Sequence, residues 1–132
     1  MVVADASALI EYLLDPARAH VARGVIENAA AALCVPALCD VEIVAGLRRA
    51  SLRGEIDGER AGEVLVDYLD LPLTRYRHEP LLARALELRE NFSAHDAIYA
   101  ALAERLGAKL LTADGRFGKA AAGHLQLSVL LQ

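Results

Sequence analysis

The chain has 132 residues, 55% of them hydrophobic and 24% charged, with a formal net charge of -4. That apolar content supplies one continuous core, and the lack of any Ser/Pro/Gly-rich tract excludes a linker or disordered tail, so a single domain over residues 1–132 is expected. The negative balance argues against a general nucleic-acid binder, which needs clustered Lys and Arg, unless bound cations or a local basic surface offset the acidity.

Met1 to Ala4 is an apolar run without a basic n-region, and no apolar stretch approaches a membrane-spanning length, so a soluble cytoplasmic protein with no membrane contact is expected. Val2 to Ala4 reads as a first strand, Asp5-Ala6-Ser7 as a turn, and Leu9, Ile10, Leu13 and Leu14 as one helix closing at Asp15-Pro16. A second helix follows Pro16 to about Ala30, and Ala32 to Val35 is a buried strand ended by Pro36. Cys34 and Cys39, with four residues between them, form neither a redox pair nor a zinc half-site and read as buried free thiols.

Leu38 to about Arg53 is helical and stops at Gly54; Asp57 then caps a helix through Leu69. Pro72 to Tyr76 is the third strand. Pro80 suits a first helical turn continued by Leu81 to about Arg89 and broken at Asn91-Phe92-Ser93. Ala94 to Leu106 is an alanine-rich helix with Gly107 as its C-cap, Lys109 to Thr112 the fourth strand, Asp114 to about Ala121 a short helix, and Leu125 to Leu130 a fifth strand alternating at Leu125, Leu127 and Val129. Short strands alternating with helices predict an α/β three-layer sandwich, a central five-stranded parallel sheet flanked by helices.

Such sheets bind ligands at the carboxyl ends of their strands, where Asp5 and Asp114 follow the first and fourth strands. If those strands are neighbours, the two carboxylates converge, and a divalent cation is what keeps both ionised. Glu42 lies one turn into its helix, bordering an uncharged stripe with Leu38, Ala45 and Gly46, and Asp96, in the first turn of the alanine-rich helix, can reach the same edge. Each acid also has a plainer reading: Asp5 and Asp114 as helix caps, Asp96 in a capping box with Ser93, and Glu42 as a surface residue.

Val2-Val3-Ala4-Asp5-Ala6-Ser7-Ala8-Leu9, Val35-Pro36 leading into Glu42, Ser93-Ala94-His95-Asp96-Ala97-Ile98-Tyr99-Ala100, and Leu111-Thr112-Ala113-Asp114-Gly115-Arg116-Phe117 stand in the order and spacing of a known family. On these residues the chain resembles the PIN-domain ribonucleases, in particular the VapC-like toxins of type II toxin-antitoxin pairs. The resemblance implies a metal-dependent ribonuclease holding Mg²⁺ or Mn²⁺ on Asp5, Glu42, Asp96 and Asp114, with Ser7 and Thr112 in support. It further implies RNA as substrate, a cognate antitoxin protein as partner, and a homodimer. Arg116 stands where many relatives carry a further acid, which puts a second metal in question and makes Arg116 a candidate phosphate contact.

Arg48, Arg49 and Arg53 cluster at the end of the Glu42 helix, either as a phosphate track or as cations complementing the helix dipole; Arg75, Arg77 and Arg84 are open to the same two readings. The four histidines show no metal-ligand spacing and receive no role, and Tyr99 reads as core packing with its hydroxyl at the surface. Leu9, Leu13 and Leu14 are either an antitoxin-docking face or core. Two rivals remain: a non-catalytic protein-interaction module, and a haloacid-dehalogenase-like phosphatase, which expects an acid where this chain has Ser7.

Overall fold

The computed structural model describes residues 1–28 and 30–132. Its strands are β1 (Val2–Ala4), β2 (Leu33–Pro36), β3 (Leu73–Tyr76), β4 (Lys109–Thr112) and β5 (Val129–Leu131). The helices are α1 (Ala6–Leu14), α2 (His20–Ile26), α3 (Leu38–Leu52), α4 (Gly58–Leu69), α5 (Leu82–Glu87), α6 (Ala94–Leu106) and α7 (Gly115–His124), with a 3-10 turn at Glu79–Leu81. The strands form one all-parallel sheet in the order β3-β2-β1-β4-β5. The expected α/β three-layer sandwich is therefore what the chain adopts.

Topology fixes where the helices go. The chain steps from β1 to β2 to β3 in one direction, then returns past β1 to β4 and β5; right-handed crossovers accordingly put α1 to α4 on one face and α5 to α7 on the other. Consistent with this, α1 packs on α2, α3 and α4, while α6 packs on α5 and spans β1, β2 and β4. Burial is complete on both faces of the central strands: Val3, Ala4, Val35, Leu110 and Leu111 are fully enclosed, joined by Leu9, Ile43, Val64, Tyr68 and Leu102 from the helices. The direction of stepping reverses between β1 and β4, which opens a crevice at their carboxyl ends.

Most predicted elements stand within a residue or two of their expected ends; α7 runs on to His124 rather than about Ala121. Helix α2 starts at His20 rather than just after Pro16 and ends at Ile26 rather than about Ala30; Ala29 lies outside the described residues. Helix α5 stops at Glu87 rather than Arg89. Strand β5 is short, because Gln126 takes a φ of 54° and breaks the extended run; Leu125 and Leu127 still pack on the core, but from a loop. Gly107 closes α6 in the left-handed conformation, φ 60°. Leu9 and Leu13 are core residues and Leu14 is half-buried, so they do not form a docking face. Cys34 and Cys39 are buried free thiols, as expected.

Candidate active site

β1 and β4 are hydrogen-bonded neighbours, with Ala4 opposite Leu111, and the Asp5 N–H continues the ladder by donating to the Leu111 carbonyl at 2.8 Å. The convergence anticipated for Asp5 and Asp114 thus has its structural basis. Asp5 is 7% exposed. Its Oδ2 accepts from the Thr112 hydroxyl at 2.7 Å and the Ser7 hydroxyl at 3.0 Å. Those hydroxyls in turn accept from backbone at the exit of β4, Thr112 Oγ1 from Asp114 N–H and Ser7 Oγ from Ala113 N–H, each at 3.0 Å. The two hydroxyls also lie 3.3 Å apart, and Asp5 Oδ1 keeps only a long 3.4 Å contact from Ser7 N–H.

The plainer reading of Asp5 and Asp114 as helix caps holds. Asp5 is the N-cap of α1 and Asp114 that of α7, where Asp114 Oδ1 accepts from Arg116 N–H at 3.0 Å and Phe117 N–H at 3.1 Å. A cap uses only part of a carboxylate's acceptor capacity, so capping orients these groups without consuming them. Asp96 is different: Ser93 Oγ accepts from its N–H at 3.2 Å, but the reciprocal bond of a capping box, from Ser93 N–H to the Asp96 carboxylate, is not made among the described residues.

Electrostatics link the four acids. Burial, then Asp5, Asp114 and Glu42, push the Asp96 carboxyl up to about 6. Asp5 is raised by burial, against the opposing pull of the Thr112 and Ser7 hydrogen bonds, with a further push from Asp114. Glu42 is raised by burial and by Asp5, against the Tyr99 hydrogen bond and the nearby His95 and Arg49. Burial and neighbouring like charge thus both disfavour the ionised forms of Asp5, Glu42 and Asp96.

Tyr99 packs in the core as expected, but its hydroxyl is not at the surface. Tyr99 is 1% exposed, and its hydroxyl donates to Glu42 Oε1 at 2.6 Å, tying α6 to α3. The available signal was its position three residues after Asp96, on the same helix face. Gly46, one turn beyond Glu42, lets α1 and α3 approach closely, since a Cβ there would collide with Ile10 Cδ1. Arg49 Nη2 lies 3.9 Å from that same point, so the guanidinium folds back along α3 toward Glu42.

The remaining basic residues divide in two. Arg75 pairs with Asp40, Arg77 with Glu79, and Arg84 with Glu87 and Glu104, so these are structural ion pairs. Arg48, Arg49, Arg53 and Arg116 are exposed and form no ion pair among the described residues.

The donor set suits a hard divalent cation, being all carboxylate and hydroxyl oxygen. Among the described residues no three His, Cys, Asp or Glu side chains are grouped closely enough to ligate one ion together. Ser7 holds its hydroxyl against Asp5, in the position where a phosphatase of the haloacid-dehalogenase kind needs an acid, which leaves that rival without its chemistry.

Comparison with known proteins agrees with this fold. Ribonuclease VapC12 of Mycobacterium tuberculosis is 37% identical over 131 residues, covering 98% of this chain and 99% of its own length. Two solved structures share the fold: PAE2754 from Pyrobaculum aerophilum, with a TM-score of 0.73 at 24% identity over 97% of this chain and 81% of that one, and a chain of a toxin-antitoxin complex from Klebsiella pneumoniae, with a TM-score of 0.59 at 19% identity over 86% and 87%. Residues 2–123 match the family model of the PIN domain, and with a full-length relative above one-third identity the chain belongs to the PIN-domain family.

Proposed function

We propose that this protein is a ribonuclease toxin of a toxin-antitoxin pair, and that Asp5, Glu42, Asp96 and Asp114 hold Mg²⁺ or Mn²⁺ at the β1–β4 crevice. The single observation that carries the reading is the pairing of β1 with β4, which sets Asp5, held by the Thr112 and Ser7 hydroxyls, against the exit of β4 that carries Asp114; an Asp96 carboxyl pushed up to about 6 by burial and by the other three acids is in keeping with it. When bound, the cation supplies Lewis-acid activation of water and neutralises charge on the attacked phosphate.

The chain's own residues do the positioning. Thr112 and Ser7 hold Asp5 in one rotamer, and Tyr99 holds Glu42. Asp96, which without a cation takes up a proton near pH 6, is the carboxylate most relieved by a neighbouring positive charge. Arg49 on α3 and Arg116 on α7 meet substrate phosphates, with Arg48 beside Arg49; their lack of acidic partners supports this, as does the scarcity of aromatics, which leaves RNA backbone and shape as the basis of recognition. Hydrolysis to 5'-phosphate and 3'-hydroxyl ends, a cognate antitoxin, a homodimer, a single domain and a cytoplasmic location complete the reading; among the described residues no helix is long and apolar enough to cross a membrane.

The test is cleavage of RNA by the purified chain with Mg²⁺ or Mn²⁺. Activity abolished by chelator and by Asp5→Asn is the expected result. Chelator-insensitive activity refutes the metal mechanism, and an inert protein that still captures an antitoxin-like partner favours the interaction module.

A further inference from the structure

Helix α3 carries Glu42 one turn from its start, yet it begins without a capping side chain, because Ala37 stands at the N-cap. Its first backbone donors are met from the exit of β3 instead. Ala37 N–H donates to the Tyr76 carbonyl at 2.8 Å, and Leu38 N–H donates to His78 Nε2 at 2.7 Å, across forty residues of sequence. A lone pair on Nε2 exists only in the neutral imidazole that carries its proton on Nδ1. The same strand grips α3 a second way, since Arg75 Nε donates to both oxygens of Asp40, at 3.0 and 3.1 Å.

We propose that His78 is a positioning residue for the acidic site, capping α3 from β3 so that Glu42 stays in reach of the Tyr99 hydroxyl. This rests on the ribonuclease reading above. Glu42 is thus held at both ends: its helix start is pinned to β3, and its carboxylate is pinned to α6. The charged groups around the His78 ring are engaged elsewhere. Glu79 beside it is paired with Arg77, Asp40 on α3 is engaged by Arg75 and Tyr68, and the facing residue from α6 is His95, across an open groove of about 550 Å³ whose α5 wall is the apolar Leu82.

The experiment compares the full-length wild type with His78→Leu, which has no acceptor, and His78→Gln, whose amide oxygen restores one. Amide hydrogen exchange of the metal-free proteins reads the cap at Leu38, and steady-state RNA cleavage with Mg²⁺ reads its consequence. His78→Leu should lose Leu38 protection and about tenfold in kcat with KM unchanged, the size expected for a lost cap acting through Glu42, and His78→Gln should recover both. Unchanged protection in His78→Leu, or lost protection with kcat intact, overturns the proposal. Should His78→Leu not fold, the smaller His78→Ala takes its place: lost Leu38 protection is expected, and protection equal to that of His78→Gln overturns the cap. If the wild type cleaves no RNA at all, the ribonuclease reading fails separately, and Mg²⁺ affinity by calorimetry takes the place of kcat, with about a tenfold loss in His78→Leu expected and no loss overturning the role.

Discussion

An Asp96→Asn variant should be more stable than the wild-type chain at neutral pH when no divalent cation is present. The Asp96 carboxyl is pushed from 3.8 to about 6 in the folded state by burial and by Asp5, Asp114 and Glu42. Between those values the native state keeps a proton that the unfolded chain has released, so stability falls as pH rises through the window, and the full penalty is present above it. A shift of that size corresponds to about 3 kcal/mol at most, and because the side chain is only half-buried, screening reduces it to about 1–2 kcal/mol. For a chain of this length that amounts to a gain of about 3–6 °C in Tm for the variant. Thermal melts in chelator across pH 4 to 7.5 check it: the two proteins should converge near pH 4 and separate toward neutrality. Adding Mg²⁺ should then stabilise the wild type more than the variant, reversing or closing the gap. A variant less stable than wild type at pH 7 in chelator, or a difference that does not change with pH, refutes the claim that the acids are mutually strained.

Three further outcomes follow from the same geometry. Tyr99→Phe removes the 2.6 Å bond to Glu42 while keeping the ring that fills the core, so kcat should fall about tenfold with Tm changed by only a few degrees; unchanged kcat would separate Tyr99 from the site. Thr112→Val preserves shape but strands the Asp114 N–H and removes a donor from Asp5, which should cost about 1–3 kcal/mol in urea unfolding and weaken Mg²⁺ binding in calorimetry. Combining Arg49→Ala with Arg116→Ala should raise KM for RNA and flatten its salt dependence while leaving the Asp96 titration in place, as read by steady-state kinetics at several ionic strengths.

Much of the architecture was legible locally. Strand β1, strand β4 and helix α6 stand where apolar runs, alanine content and the Gly107 stop placed them, because each depends on propensity and patterning within a dozen residues. The acids after β1 and β4 were legible too, since their positions at strand ends need no tertiary information. Strand β5 was overextended for the converse reason: alternation at Leu125, Leu127 and Val129 records burial, and Gln126 achieves that burial with a positive φ rather than an extended chain.

Which strands are neighbours is a property of no single segment. Hydrophobic periodicity states that a face is buried but not against what, so the β3-β2-β1-β4-β5 order that brings Asp5 beside Asp114 came only from the assembled sheet. The same holds for Tyr99 on Glu42, fifty-seven residues away, and for His78 on Leu38. A hydrogen bond between distant residues leaves no periodic trace in either of them; it exists because packing of the core brings a donor and an acceptor to the same place once the helices have found their faces of the sheet.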